Sequence, residues 1–173
     1  MARLRKFVCY RGLERPYTRV SKYKEKSFIR MNPNPRITAY ETGNTKRKFD
    51  HILRLNSKIG VQIRDHALES ARQAANRFLE RNLGTGSYHL KLRKYPHHIL
   101  RENPIAAGAG ADRFSTGMKK AFGKPIGVAA QIREGHTIYE VSVNKANVEA
   151  AKTALTRASK KLPCTCAVVI EAK

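Results

Sequence analysis

The sequence predicts an α+β fold, with two main helices packed on a mixed or antiparallel sheet. Three observations predict it. Two stretches, residues 65–83 and 144–161, carry apolar residues at spacings of three and four, the period of an amphipathic helix. Several shorter stretches alternate apolar and polar residues, the period of a half-buried strand. The elements run strands, helix, strand, loop, strands, helix, strand, so that both helices have sheet to pack on. Hydrophobic content of 41% over 173 residues is enough chain for one real core.

Taken in order, residues 1–36 show no sustained period and predict an extended arm with little regular structure. Eleven Lys or Arg stand there against Glu14 and Glu25, with Phe7, Tyr10, Tyr17, Tyr23 and Phe28 threaded among them. Pro33 and Pro35 close the arm, and residues 37–173 are expected to be the folded domain. A short strand is expected over 36–40, ended by Thr42, Gly43 and Asn44, with Lys46, Arg47 and Lys48 making a basic knot in the loop. Leu53 and Leu55, then Ile59, Val61 and Ile63, alternate as strands do, and Gly60 marks a bulge or turn.

The stripe of the first helix is Ala67, Leu68, Ala71, Ala74, Ala75, Phe78 and Leu79. Asp65 suits its N-cap and Gly84 its C′ position. Arg72 and Arg81 are expected mostly on the opposite side. Tyr88, Leu90 and Leu92 alternate with His89, Lys91 and Arg93, which predicts a half-buried strand whose outer face is cationic.

A long internal loop is expected over about 96–123. Pro96 and Pro104 each lack an N–H and fix φ, so its first half fits no regular element. Residues 106–111 are an Ala-Gly run whose backbone can approach a partner closely. Over 112–122, Phe114, Met118, Ala121 and Phe122 fit a short helix with Asp112 at its N-cap. Lys124 and Pro125 then start a strand with residues 128–132 as its apolar body; Glu134 and Gly135 turn the chain into a second strand through Ile138, Val141 and Val143. The last helix buries Val148, Ala151, Ala154, Leu155, Ala158 and Leu162, ends at Pro163, and leads into a terminal strand over 165–171.

The charge narrows the function. Lys and Arg total 35 against 13 Asp and Glu, a formal +22, and such a surplus repels itself in the compact state unless a polyanion supplies the countercharge. No apolar run approaches the roughly 18 residues of a spanning helix, and no basic amphipathic helix or lipid-anchor signal is present, so no membrane partner is expected. Cys9, Cys164 and Cys166 are an odd set with a C-x-C pair, read as reduced thiols in a cytosolic protein and not as a disulfide framework. Zinc sites space their cysteines more widely, so no metal is expected on the C-x-C pair with His97 and His98. Gly108 and Gly110 lack the third glycine of a dinucleotide loop, Arg113 standing in its place, and no G-x-x-x-x-G-K-[ST] occurs. A hydrolytic site could only be assembled from His97, His98, Glu102 and Asp112, which lie in or beside the segment least able to hold them in register. No catalytic residue, cofactor or enzymatic activity is expected.

The residues that fit a nucleic-acid surface are cations for phosphate and rings for bases or RNA grooves. In the arm these are Arg3, Arg5, Lys6, Tyr10, Arg11, Arg15, Tyr17, Arg19, Lys22, Lys24 and Lys26, followed by Arg36. On the domain they are Lys91, Arg93, His97, His98, Lys119, Lys120 and Lys124. The alternative for the arm is a solvated tail whose aromatics tuck onto the domain.

Three stretches carry a resemblance: CYRGLERPYTR at 9–19, HHILRENPIAAGAGADRFSTGMKKAFGKPIGVAAQI at 97–132 and ALTRASKKLP at 154–163. Over essentially its whole length the chain resembles the archaeal form of the universal large-subunit ribosomal protein family numbered sixteen, called ten-e in archaea and eukaryotes. The resemblance implies a hammerhead-type α+β sandwich bound to large-subunit rRNA in the cytoplasmic ribosome. It implies a position between the central protuberance and the base of the factor stalk, where the family helps shape the aminoacyl-tRNA site. It also implies a loop reaching toward the peptidyl transferase centre and tRNA, carried here by Arg101, Asn103, Ala106, Ala107, Gly108, Ala109, Gly110, Ala111, Asp112 and Arg113. Partners would be rRNA, aminoacyl- or peptidyl-tRNA and neighbouring large-subunit proteins, with no obligate homo-oligomer. The rival readings are a free-standing basic RNA-binding protein and a His-dependent ribonuclease.

Overall fold

In the computed structural model the described residues are 5–18, 23, 29, 32–102 and 123–172. Eight strands and two α-helices build the fold among them: β1 (Glu41–Gly43), β2 (His51–Ser57), β3 (Val61–Arg64), α1 (Asp65–Leu83), β4 (Tyr88–Leu92), β5 (His98–Glu102), β6 (Lys124–Ile132), β7 (Thr137–Val143), α2 (Val148–Ser159) and β8 (Cys166–Ala172). They form a five-stranded sheet in the order β1-β4-β7-β2-β8 and a three-stranded sheet in the order β3-β6-β5. Every described pairing is antiparallel, which settles the expected mixed or antiparallel sheet.

Alternation sets the core. Leu53 and Leu55 on β2, Leu90 and Leu92 on β4, and Val141 and Val143 on β7 all turn to one side and are buried, with Leu53 and Leu90 both in register with Val141. α1 and α2 pack on each other, α2 against β2, β7 and β8, and α1 against β3, β4 and β6. The alanines Ala71, Ala75, Ala151, Ala154 and Ala158 are fully buried. Two tyrosines bring hydroxyls into this core and find partners: Tyr88 donates to Asn76 Oδ1 at 2.7 Å, and Tyr139 donates to the Leu68 carbonyl. Burial pushes the Tyr139 phenol far up and that of Tyr88 up as well.

Four expectations are corrected. The strand foreseen over 36–40 is absent; that segment runs beside α1, and the strand is β1, one step later, paired to β4. Gly43 makes this pairing possible: its φ is +90°, and a Cβ there would lie 2.2 Å from the Tyr88 carbonyl oxygen. Arg72 is not on the solvent side. Because 36–40 covers that flank, Arg72 is 9% exposed and grips Glu69 through Nη2–Oε1 at 2.7 Å and Nε–Oε2 at 2.9 Å. Arg72 Nη2 also donates to Thr38 Oγ1 at 3.0 Å. Asp65 is the first residue of α1, with Arg64 at the cap position; its carboxylate accepts the Arg36 N–H at 2.9 Å and so ties down the same segment.

The fourth correction is β5. The sequence pattern predicts no regular element directly after Tyr95, yet residues 98–102 form a strand paired to β6, from His98↔Ala129 to Glu102↔Lys124. Pro96 and Pro104 flank this strand instead of interrupting it, and its partner is distant in the chain, so no local signal announces it. Residues 98–102 are therefore not part of the expected internal loop, and Glu102 and Lys124 are register partners. The helix expected over 112–122 lies outside the described residues.

Candidate nucleic-acid interface

The three-stranded sheet has one face on the main core, through Val61, Ile63, Ala130 and Ile132. Its other face carries Gln62 and Gln131, cross-strand partners with Gln131 Nε2 donating to Gln62 Oε1 at 3.1 Å. The arm crosses this face as a strap. At the β3 edge the Arg11 carbonyl accepts the Gln62 N–H at 3.1 Å, and the Tyr10 carbonyl accepts Gln62 Nε2 at 2.9 Å. Over β6 the Glu14 carbonyl accepts Gln131 Nε2 at 2.8 Å. At the β5 edge the Tyr17 carbonyl accepts the Ile99 N–H at 3.2 Å, and the Tyr17 N–H donates to His98 Nδ1 at 2.9 Å. Ile29, Ile99 and Val128 form a small second core there, with Tyr17 packed against it.

Side chains follow the backbone. Arg5 pairs with Glu102 at 2.9 Å, and its carbonyl accepts from Arg64 Nη1 at 3.0 Å. The Arg64 guanidinium lies 5.5 Å from the Tyr10 ring centroid, and that of Arg101 lies 3.6 Å from the Tyr17 ring, a cation–π contact. Within residues 5–18 these two rings thus face guanidinium groups of the domain. Lys6, Arg11 and Arg15 are exposed along the strap.

On the domain, the outer face of β4 is less cationic than its sequence suggests. Glu41 holds Lys91 at 2.5 Å and lies 3.6 Å from His89. Hydrogen bonding from Lys91, with smaller contributions from its charge and from His89, keeps this carboxyl below its ordinary range despite opposing burial. Glu140 lies 3.7 Å from both Arg93 and Arg54, and Arg54 pairs with Glu171 at 2.7 Å. Arg93 remains about half exposed. It continues into Lys94 and Tyr95. Lys94 Nζ donates to His136 Nδ1 at 3.0 Å, and burial, with Lys94 and Arg133, holds that imidazole below its ordinary range and neutral. Tyr95 stacks on Tyr40 with centroids 5.4 Å apart, and its ring lies 4.7 Å from that of His97. Pro16, Arg93, Lys94, Tyr95, His97, His98 and Gln131 line a cleft of about 420 Å³, and Arg93 and Lys94 also border a second of about 400 Å³. Cations beside stacked rings, in a cleft roofed by the arm, suit phosphate and unstacked bases. Lys94 and Tyr95 were not singled out in the sequence, although R-K-Y-P-H-H interleaves cations with rings.

Among the candidate residues, His97, Arg36 and Lys124 are exposed. His98 is buried, and its Nδ1 accepts the Tyr17 N–H, so it holds the arm. Burial, reinforced by Arg101 and opposed by Glu14, holds its imidazole below the ordinary range. With Glu102 pinned by Arg5, the ribonuclease constellation has no free pair of groups at β5. No set of three metal-ligating side chains gathers among the described residues. Arg3, Arg19, Lys22, Lys24, Lys26, Asn103, Ala106–Arg113, Lys119 and Lys120 lie outside the described residues.

Residues 14–169 match the family described as Ribosomal protein L16p/L10e. The chain is 46% identical over 162 residues to a large ribosomal subunit protein uL16 from Archaeoglobus fulgidus, covering 94% of this chain and 90% of that protein. It is 44% identical over 167 residues to the protein of that name from Methanococcus maripaludis strain C7, covering 96% and 94%. The Methanococcus aeolicus protein of that name is 42% identical over 167 residues, covering 96% and 94%.

Proposed function

This chain belongs to the ribosomal protein L16p/L10e family, and from that premise we propose that it is a structural, non-enzymatic constituent of the large ribosomal subunit, bound to its rRNA in the cytoplasm. The observation that carries the reading is likeness to large-subunit proteins over nearly the full length of both chains. The +22 charge and the cleft of Arg93, Lys94, Tyr95 and His97 support it, because they are the chemistry a phosphate-rich, partly unpaired polymer needs.

Within that role, residues 1–36 act as an arm and 37–173 as the RNA-binding body. The excursion between Glu102 and Lys124 helps shape the aminoacyl-tRNA site and reaches toward the peptidyl transferase centre. Its Ala-Gly run can pass close to an RNA or tRNA backbone because it has almost no side chains, and Arg101 and Arg113 on either side suit phosphate through their planar, bidentate forks. Neighbouring large-subunit proteins are its other partners.

Deleting 106–111 tests the reading in two parts. The shortened chain is expected to melt as the full chain does, to sediment with large subunits at physiological salt, and to lower aminoacyl-tRNA binding by those subunits. Full-length protein that sediments away from large subunits overturns the structural role. Undiminished tRNA binding overturns the assignment of the excursion.

A further inference from the structure

The C-x-C pair lies at the start of edge strand β8. Alternation along an extended chain puts residues 164 and 166 on one face. The Thr165 carbonyl fixes the intervening residue by accepting the Lys58 N–H at 2.9 Å, and Cys166 is in register with Ser57. The two sulfurs lie 3.5 Å apart, both partly exposed. We propose that Cys164 and Cys166 form a thiol–disulfide exchange site that takes low-molecular-weight disulfides, with Cys164 as the attacking sulfur and Cys166 as the resolving one.

The roles follow from the surroundings. The hydrogen bond between the two sulfurs, together with the Ser57 hydroxyl, outweighs burial and holds the Cys164 thiol down at about 7. The same hydrogen bond, with burial, pushes Cys166 up. Cys166 Sγ also donates to the Cys164 carbonyl at 3.6 Å, so Cys166 is the sulfur that keeps its hydrogen and Cys164 is the nucleophile, the asymmetry that a stepwise exchange uses.

In the first step the Cys164 thiolate attacks one sulfur of the small disulfide, forming a mixed disulfide and expelling one small thiolate. Cys166 then gives its proton to water and attacks Cys164 Sγ, closing the intramolecular bond and expelling the second thiolate. The two protein thiols lose two electrons, the small disulfide gains them, and two small thiols leave. To reach bonding distance the sulfurs close by about 1.5 Å, a movement that side-chain rotation at the end of an edge strand supplies. In a reducing cytosol the pair rests as thiols and records a rise in small disulfides.

Full-length protein treated with glutathione disulfide, quenched with iodoacetamide and mapped by mass spectrometry tests this. Expected is a Cys164–Cys166 disulfide without bound glutathione, formed about three- to tenfold faster than Cys9 acquires glutathione. Cys166→Ser should stall at a glutathione adduct on Cys164, and Cys164→Ser should slow Cys166 to the rate of Cys9 or below. Circular dichroism of both variants checks that they fold. Separate adducts on both cysteines, or alkylation of both with no disulfide, overturns the proposal. So does a Cys164 rate no greater than that of Cys9.

Discussion

Arg72 and Glu69 stand where most helices of this size expose charge. Burial pushes the Glu69 carboxyl up, but hydrogen bonds from Arg72, Gln73 and Thr38 outweigh it and hold the group down at about 2. Removing one partner strands the other, which costs more than the pair contributes. Arg72→Ala is therefore expected to destabilise the chain by about 3–5 kcal/mol in denaturant titration, whereas the double change Glu69→Gln with Arg72→Met should cost less. The depressed carboxyl also sets a pH window: the folded state binds fewer protons than the unfolded one between about 2 and 4.5, so this stabilisation is complete above 4.5 and fades as pH falls toward 2. His98 gives a second window. Its pKa in the folded chain lies below the ordinary 6.5, so the unfolded state binds more protons and stability is lost as pH falls through 6.5 toward the folded value. Protonating Nδ1 also removes the acceptor for the Tyr17 N–H. The protection of the Tyr17 amide, its exchange rate divided into the intrinsic rate at the same pH, is thus expected to fall in mildly acidic buffer relative to neutral pH, and protection that stays constant would remove His98 from the latch.

At the scale of elements, the arm and the three-stranded sheet depend on each other. Gln62 and Gln131 sit between apolar neighbours in their strands, on the face away from the core, and each gives its amide to an arm carbonyl. Replacing both with Ala removes two arm hydrogen bonds, each worth about 0.5–1.5 kcal/mol net. Limited proteolysis of the double variant is expected to cut within residues 5–18 well before the body, while the main melting transition stays near that of the parent. Cleavage no faster than in the parent would show that other contacts suffice to hold the strap. This docking was hard to read from the sequence because the arm contributes backbone carbonyls of Tyr10, Arg11, Glu14 and Tyr17, and a carbonyl leaves no mark in a residue pattern. By contrast α1 was legible to its ends, since Ala71, Ala75 and Leu79 repeat on one stripe and Gly84, with φ +74°, stops it. β4 was legible from Tyr88, Leu90 and Leu92, but its outer charges were not, because Glu41 and Glu140 reach them from other strands. The polar Gln62 and Gln131 within apolar runs were the available sign that something covers that face.

At the scale of the molecule, six of the acids are spent internally. Asp65, Glu41, Glu69, Glu102, Glu140 and Glu171 each bond a group of their own chain. Even if all 13 acids were so matched, a surplus of 22 positive charges remains, too large for the fold to neutralise itself. Association with RNA should then be driven largely by release of counterions condensed on phosphate, and the release is countable. Neutralising about 6–10 phosphates makes affinity fall by roughly 10³–10⁵ between 50 and 200 mM salt. Binding of the full chain to large-subunit rRNA across that range, measured by filter retention, is expected to give a straight line of log affinity against log salt. Removing the charge of Arg93 and Lys94 by double substitution to Gln should flatten the slope by about 2 if both meet phosphate. A Tyr95→Ala change should instead lower affinity at every salt concentration and leave the slope alone, because stacking releases no ions. A parent line with no slope would mean that the surplus charge is not what holds this chain to RNA.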